Sequence, residues 1–331
     1  MNPTKVVITG GAGFLGRRLA RTLLERGTLA DAAGRQQPIE RITLVDVVAP
    51  SGFDDPRIDT VVGDIADAAL LARAVDASTT SIFHLAAIVS GMAEADFELG
   101  MRVNVDASRT LLDLCRAGGR MPRFVFASSV AVYGGELPAV VGDNLAVVPQ
   151  TSYGTEKAIV ELLVNDYSRR GFVDGRALRL PTICVRPGRP NAAASSFASG
   201  IVREPLNGEA ANCPVEAATR LWLLSPANAI ACLIALHDAD AAALGANRIV
   251  NGPGLSVSVS EMIAALERIA GTDVVARITY DRDPRIARLV DTWPGELAAT
   301  RADALGLPRD DSFDVILRSY IAEEIEPSPR S

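Results

Sequence analysis

The sequence predicts an α/β fold: a doubly wound parallel sheet with helices on both faces, followed by a smaller C-terminal substrate-binding region. Three observations predict it. Short β-branched runs alternate with longer helical patterns through the first half of the chain. A glycine-rich turn joins the first of these strands to the first helix. Proline and glycine then cluster where the alternation stops, just past residue 180. Composition agrees: of 331 residues 48% are hydrophobic and 22% charged, the balance of a globular enzyme and not of a disordered chain.

The first strand is expected at residues 5–9 and its helix at 14–26. The second strand, 41–47, comes late, because 27–40 contains Gly34, Gln36, Gln37 and Pro38 and reads as a polar surface loop. A strand at 60–62 with a helix at 67–75 follows, then a strand at 81–85 with a helix within 93–117. A strand at 123–127, a glycine-containing loop, a helix at 152–170 and a strand at 176–180 complete the alternation. Such repeats need right-handed crossovers, which make the strands parallel and bury both faces. Pro181, Pro187, Gly188 and Pro190 then mark departure from the sheet. Helices at 196–206, 226–239, 258–270 and 313–324 and a strand at 248–251 are too scattered for an independent large domain. The expected division is residues 1–180 as the domain holding cofactor and catalytic groups, and 181–331 as mainly substrate-binding, with some segments returning to the first domain.

Charge and cysteine usage narrow the partners. The net charge is −7, with acids and bases interspersed, which disfavours the phosphate-neutralising surface of a nucleic-acid binder. Cys115, Cys184, Cys213 and Cys232 lack metal-ligand spacing and are expected as buried free thiols. A strand beginning at Lys5 leaves no room for a signal peptide, and no apolar run reaches the ~18 residues of a membrane span. A cytoplasmic protein without membrane contact is expected.

Thr9-Gly10-Gly11-Ala12-Gly13-Phe14-Leu15-Gly16 lies between strand and helix, where glycines carry meaning. Gly10 permits the tight turn, Gly13 lets backbone approach phosphate, and Gly16 lets helix pack closely on strand. A pyrophosphate would meet the free amides of Phe14 and Leu15 at the positive end of the helix. Asp46, ending the second strand, can accept hydrogen bonds from both adenosine ribose hydroxyls and would repel a 2′-phosphate, so the expected cofactor is NAD. Asp64 and Ile65 follow the third strand and could face the adenine. Leu85-Ala86-Ala87 ends the fourth, where small side chains would let a cofactor lie against the backbone.

Tyr153 and Lys157 are four residues apart, hence on one face of a helix. A phenol of ordinary pKa near 10 is a poor base at neutral pH, and a neighbouring ammonium stabilises its phenolate. Ser128 and Ser129 lie just beyond the fifth strand, where open α/β sheets gather ligands, and a hydroxyl there can hold a reacting oxygen. His84 reads as a satisfied core residue, and His237 sits near a helix end.

Together these residues resemble the extended short-chain dehydrogenase/reductase superfamily, whose motifs run here from Gly10 to Pro187. The resemblance implies Ser129, Tyr153 and Lys157 as catalytic residues, with Lys157 also on the nicotinamide ribose. It implies Asn104 on the long helix and Pro181-Thr182 beside the carboxamide as further cofactor contacts, and a homodimer pairing the helices at 93–117 and 152–170. Within that superfamily the segments 90–97, 164–169, 186–197 and 219–223 look most like the branch that oxidises carbon 2 of a four-carbon sugar acid, D-erythronate. Such a substrate needs a cationic grip on its carboxylate, for which Arg186, Arg189 and Arg220 are candidates; Ser90, Ser195 and Ser196 could serve its hydroxyls. The implied reaction is NAD-dependent oxidation of the 2-hydroxyl with Tyr153 as base. Two alternatives stay open: a nucleotide-sugar epimerase or dehydratase that keeps its NAD, disfavoured by the lack of an obvious aromatic platform after Leu180, and a non-catalytic NAD-binding sensor.

Overall fold

The computed structural model describes residues 4–188 and 193–326. The chain begins with β1 (Thr4–Thr9), α1 (Phe14–Arg26), β2 (Thr28–Ala30), β3 (Gln36–Asp46), β4 (Ile58–Val62), α2 (Ala68–Ala74) and β5 (Ser81–His84). Next come α3 (Ser90–Ala95), α4 (Phe97–Gly100), a π-helical turn (Met101–Asp106), α5 (Ala107–Gly118), β6 (Arg123–Ser129), α6 (Ser152–Arg169) and β7 (Asp174–Leu180). After β7 follow β8 (Thr182–Ile183), α7 (Ser196–Leu206), β9 (Ala211–Asn212), β10 (Arg220–Leu224), α8 (Pro226–Asp238), α9 (Ala241–Leu244), β11 (Ile249–Asn251) and β12 (Leu255–Ser258). The chain closes with α10 (Val259–Ala270), α11 (Thr272–Val275), β13 (Ile278–Thr279), α12 (Pro284–Val290), α13 (Thr300–Ala304) and α14 (Phe313–Tyr320).

The main sheet runs β11-β7-β6-β5-β1-β3, with β4 pairing the C-terminal part of β3, and these strands are all parallel. Strand order reverses between β1 and β5, so the crevice for a ligand opens at their C-terminal ends. Both faces are covered. Val6, Ile8, Leu44 and Phe83 pack with α1 and α8 on one side, while Val7, Val45, Ile82 and Phe124 pack with α2, α5 and α6 on the other. A segment from late in the chain, β11, therefore returns to extend the sheet beside β7.

Three expectations need correction. The stretch 27–40 is not a loop: β2 folds back antiparallel on the start of β3, pairing Thr28 with Pro38, and Gly34 at φ +76° supplies the turn. Proline is tolerated because Pro38 precedes the residues of β3 that pair in register with β1 from Lys5 onward. The single helix expected within 93–117 is broken: Asp96 leaves helical geometry and its carboxylate caps Leu99 N–H, restarting the chain as α4 before the π turn. Past residue 180, a three-stranded sheet β12-β10-β8 appears where no strands were expected. Its apolar residues Leu221 and Leu223 join Cys184, Val185, Phe197, Met262 and Leu317 in a second core.

Candidate active site

A cavity of about 620 Å³ opens at the C-terminal ends of β1, β3, β5, β6 and β7. Gly10, Gly13, Phe14, Leu15 and Gly16 form its floor at the N-terminus of α1. Gly10 has φ +72°, and a Cβ there would stand 2.9 Å from the Ala86 amide nitrogen. A Cβ on Gly16 would stand 2.0 Å from the Gly10 carbonyl oxygen, so α1 can approach the turn only without a side chain. Gly13 is the N-cap and supplies no side-chain bond to the first amides of α1, which therefore face the cavity as donors for an anion. This amide-lined turn, where a Cβ at Gly10 or Gly16 would strike main chain, fits a dinucleotide pyrophosphate.

Asp46 lines the cavity at the end of β3, where its Oδ2 accepts a 3.0 Å bond from Ala12 N–H and braces the glycine turn. Asp64 and Ile65 line it at the end of β4. The Asp64 carboxyl is held below its usual range first by the Ala66 backbone N–H and also by Arg102, at 2.7 Å. Leu85, Ala86 and Ala87 line the exit of β5, and Pro181 and Thr182 the exit of β7. Asn104 does not reach the cavity. Its amide is buried and bridges the Ile88 backbone, accepting from Ile88 N–H at 2.8 Å, to Glu156, to which it donates at 2.6 Å. It therefore shapes the wall from behind.

Ser129, Tyr153 and Lys157 all line the cavity. Thr151 caps α6 through Gly154 N–H, which sets Tyr153 on the first turn and Lys157 one turn on. Gly154 is required here, since a Cβ would stand 2.1 Å from the Ala131 carbonyl oxygen. Lys157 is buried, donates to the Ala127 carbonyl at 2.9 Å, and places its ammonium 5.5 Å from the centre of the Tyr153 ring. Burial lowers its pKa to about 8, against the charges of Glu156 and Glu161, which raise it. Burial pushes the Tyr153 phenol up to about 12, and Glu156 raises it further; a hydrogen bond with Ser129 and the charge of Arg186 act the other way. Support for a phenolate in the protein itself thus comes from Ser129 and Arg186. Ser129 Oγ is fixed by accepting from Ala131 N–H at 3.1 Å. Neighbouring Ser128 instead donates to buried Glu161 at 2.6 Å, within a network completed by Arg179, Tyr133 and Asn251.

Arg186, Ser195 and Ser90 meet at the other end of the cavity. Arg186 Nη2 donates to Ser195 Oγ at 2.9 Å, and the half-buried guanidinium has no carboxylate partner among the described residues. Burial lowers its pKa, as does the neighbouring Arg203. Arg220 lies elsewhere: exposed at the start of β10, it donates to Ser256 and pairs with Glu261 at 3.3 Å. Strand alternation sends it outward while Leu221 and Leu223 fill the second core. Ser196 starts α7 and is not part of the cavity wall, and Arg189 falls outside the described residues.

Sequence reasoning missed Glu94, Thr151, Leu289 and Trp293, which also line the cavity. Glu94 accepts from Ser152 N–H at 2.9 Å, at the head of the helix that carries Tyr153. Trp293 supplies an aromatic wall from a segment more than 100 residues past the last motif, and no local signal in the sequence marked it. Neither histidine takes part. His84 is held between Thr9 and Ser108 and burial lowers it to about 3; His237 bonds Ser81 and Asp238 and is lowered to about 4. The four cysteines are buried and unpaired, and no metal-binding cluster occurs among the described residues. No helix among them is long and apolar enough to cross a membrane.

Known proteins are similar in sequence along nearly the whole chain. D-erythronate dehydrogenase of Cupriavidus necator is 60% identical over 318 residues, covering 96% of this chain and 98% of its own. The Haemophilus influenzae protein of the same name is 44% identical over the same shares. Among solved structures, one described as a nucleoside-diphosphate-sugar epimerase from Agrobacterium tumefaciens is 43% identical with a TM-score of 0.91, covering 100% of this chain and 97% of its own. Residues 6–245, from the first strand through the glycine turn, Tyr153 and Lys157 to β10 and α8, match the model of one family, and the chain belongs to that NAD dependent epimerase/dehydratase family.

Proposed function

We propose that this chain oxidises the 2-hydroxyl of a small sugar acid, D-erythronate as in its named relatives, to the 2-oxo acid, with NAD as acceptor. The observation that carries the reading is Arg186. A desolvated cation that has no carboxylate partner among the described residues, opening into the same cavity as Ser129 and Tyr153, calls for an anionic group on the substrate. A carboxylate on Arg186 leaves the adjacent carbon and its hydroxyl for Ser129 and Tyr153.

The glycine turn and the head of α1 would hold the pyrophosphate, Asp46 the adenosine ribose, and Lys157 the nicotinamide ribose. When bound, an oxidised nicotinamide would supply the hydride acceptor for carbon 2 and a positive charge that lowers the pKa of a neighbouring phenol. The chain's own part is proton handling and placement. Tyr153 Oη takes the proton of the 2-hydroxyl as the C–H bond delivers its electron pair, and the carbonyl forms. Ser129, pinned by Ala131, donates to the reacting oxygen. Lys157, tied to Ala127, stays one helical turn away with its ammonium 5.5 Å from the centre of the Tyr153 ring.

A second reading has a specific observation behind it: the name of the 43% identical structure, together with Trp293, an aromatic wall for a base or sugar. It predicts NAD that co-purifies and no net NADH with aldonates. The deciding experiment measures NADH formation by purified protein with four- to six-carbon aldonates and with nucleotide sugars. Tyr153→Phe should lower kcat by about 10³-fold or more while NAD affinity stays within about twofold; a variant that keeps its turnover contradicts the proposal.

A further inference from the structure

Glu156, between Tyr153 and Lys157 on α6, does not line the cavity, and the proposed reaction has no use for it. Its side chain is 1% exposed. Oε2 accepts the 2.6 Å bond from Asn104, while Oε1, also shut off from solvent, has no hydrogen-bond partner among the described residues. Gly100 makes room for it: a Cβ there would stand 2.3 Å from Oε1. A buried carboxylate with a single donor is costly unless a charge nearby compensates it. The nearby Glu161 shows the contrast, because Arg179 grips both of its oxygens.

Few charges face Glu156. Burial raises the pKa of Glu156, as does the charge of Glu94 across from α3, while the Asn104 bond and the adjoining Lys157 on α6 lower it. The π turn contributes the uncharged amide of Asn104, since Arg102 on that turn is committed to Asp64.

We propose that Glu156 is a positioning residue for the Tyr153 and Lys157 pair. Through Asn104 it ties α6 to the Ile88 backbone in the cavity wall, and its ionised carboxylate sets the field in which Tyr153 takes up a proton and Lys157 keeps one. The geometry of the tie is continuous: Glu156 Oε2, Asn104 Nδ2 and Oδ1, and the Ile88 amide. The field acts on both members, since the charge of Glu156 raises Lys157 and also raises Tyr153. The inference rests on the proposed roles of those two residues.

Glu156→Gln keeps the shape and removes the charge, so its kcat against pH is the test. With NAD bound, whose charge brings the phenol down, both groups should lose protons more readily in this variant, moving the acid limb, set by the phenol, and the alkaline limb, set by the ammonium, to lower pH by about one unit. NAD affinity should hold within about twofold, and Glu156→Asp, which restores the charge, should return both limbs toward their original positions. Limbs that stay in place in folded Glu156→Gln overturn the proposal, whether or not its Tm falls. Should that variant not accumulate as folded protein, Gly100→Ala, whose Cβ presses on Oε1 and so displaces the carboxylate that Asn104 holds through Oε2, takes its place: shifted limbs support the proposal and unmoved limbs overturn it. Tyr153→Phe separates the two ideas: turnover lost there with unmoved limbs in Glu156→Gln refutes this inference alone, whereas turnover retained there refutes the underlying function.

Discussion

The two ends of the cavity are built by different means. At the end proposed for the cofactor, backbone forms most of the wall: the turn from Gly10 to Gly16 and the head of α1 form the floor, and strand ends supply Asp46, Asp64 and Ala86. At the end proposed for the substrate, side chains of Ser90, Arg186 and Ser195 meet from segments that are distant in sequence. A backbone cradle tolerates almost no change because a Cβ at Gly10 or Gly16 meets main chain. A side-chain end can be retuned residue by residue, which is how relatives on one scaffold come to differ in substrate.

The largest effect should come from breaking the cradle. Gly16→Ala places a methyl 2.0 Å from the Gly10 oxygen, and neither helix nor turn has space to yield. NAD affinity should fall by about 100-fold or more, with a loss of about 1–3 kcal/mol in stability from overpacking; titration calorimetry and thermal melting read the two. Breaking the other end should be selective. Arg186→Met should lower kcat/KM for a sugar acid by about 10²- to 10³-fold with NAD affinity within about twofold, and Arg186→Lys should recover part of the loss. If both affinities fall together, the two ends are not separable. The smallest effect sharpens the boundary of the substrate end: Arg220→Ala, outside the cavity, should leave kcat/KM within about twofold, because it removes only exposed contacts to Ser256 and Glu261. A large loss in a steady-state assay would extend the site to β10.

The same contrast explains what could be read in advance. Gly10, Gly13, Gly16, Asp46, Tyr153 and Lys157 were legible because strand, turn and helix periodicity fix where each points once the pattern is recognised. Asn104 and Arg220, both expected in the site, lie away from the cavity. One faces inward onto Glu156 from a π turn, whose register an α-helical pattern cannot show. The other sits at a strand position whose inward or outward direction depends on a sheet not foreseen. Trp293 was invisible because nothing local distinguishes a tryptophan that lines a cavity from one that fills a core.

From its residues alone this chain committed to a parallel sheet, a glycine cradle and a phenol and ammonium on one helical face, since periodicity and backbone freedom are local properties. Tertiary packing alone decided that Arg186 enters the cavity with no carboxylate partner among the described residues, that Trp293 lines it, and that Glu156 lies dry beside Tyr153 and Lys157. These depend on which distant segments meet and on which charges find a partner when water is expelled, and no window of sequence contains both sides of such a contact.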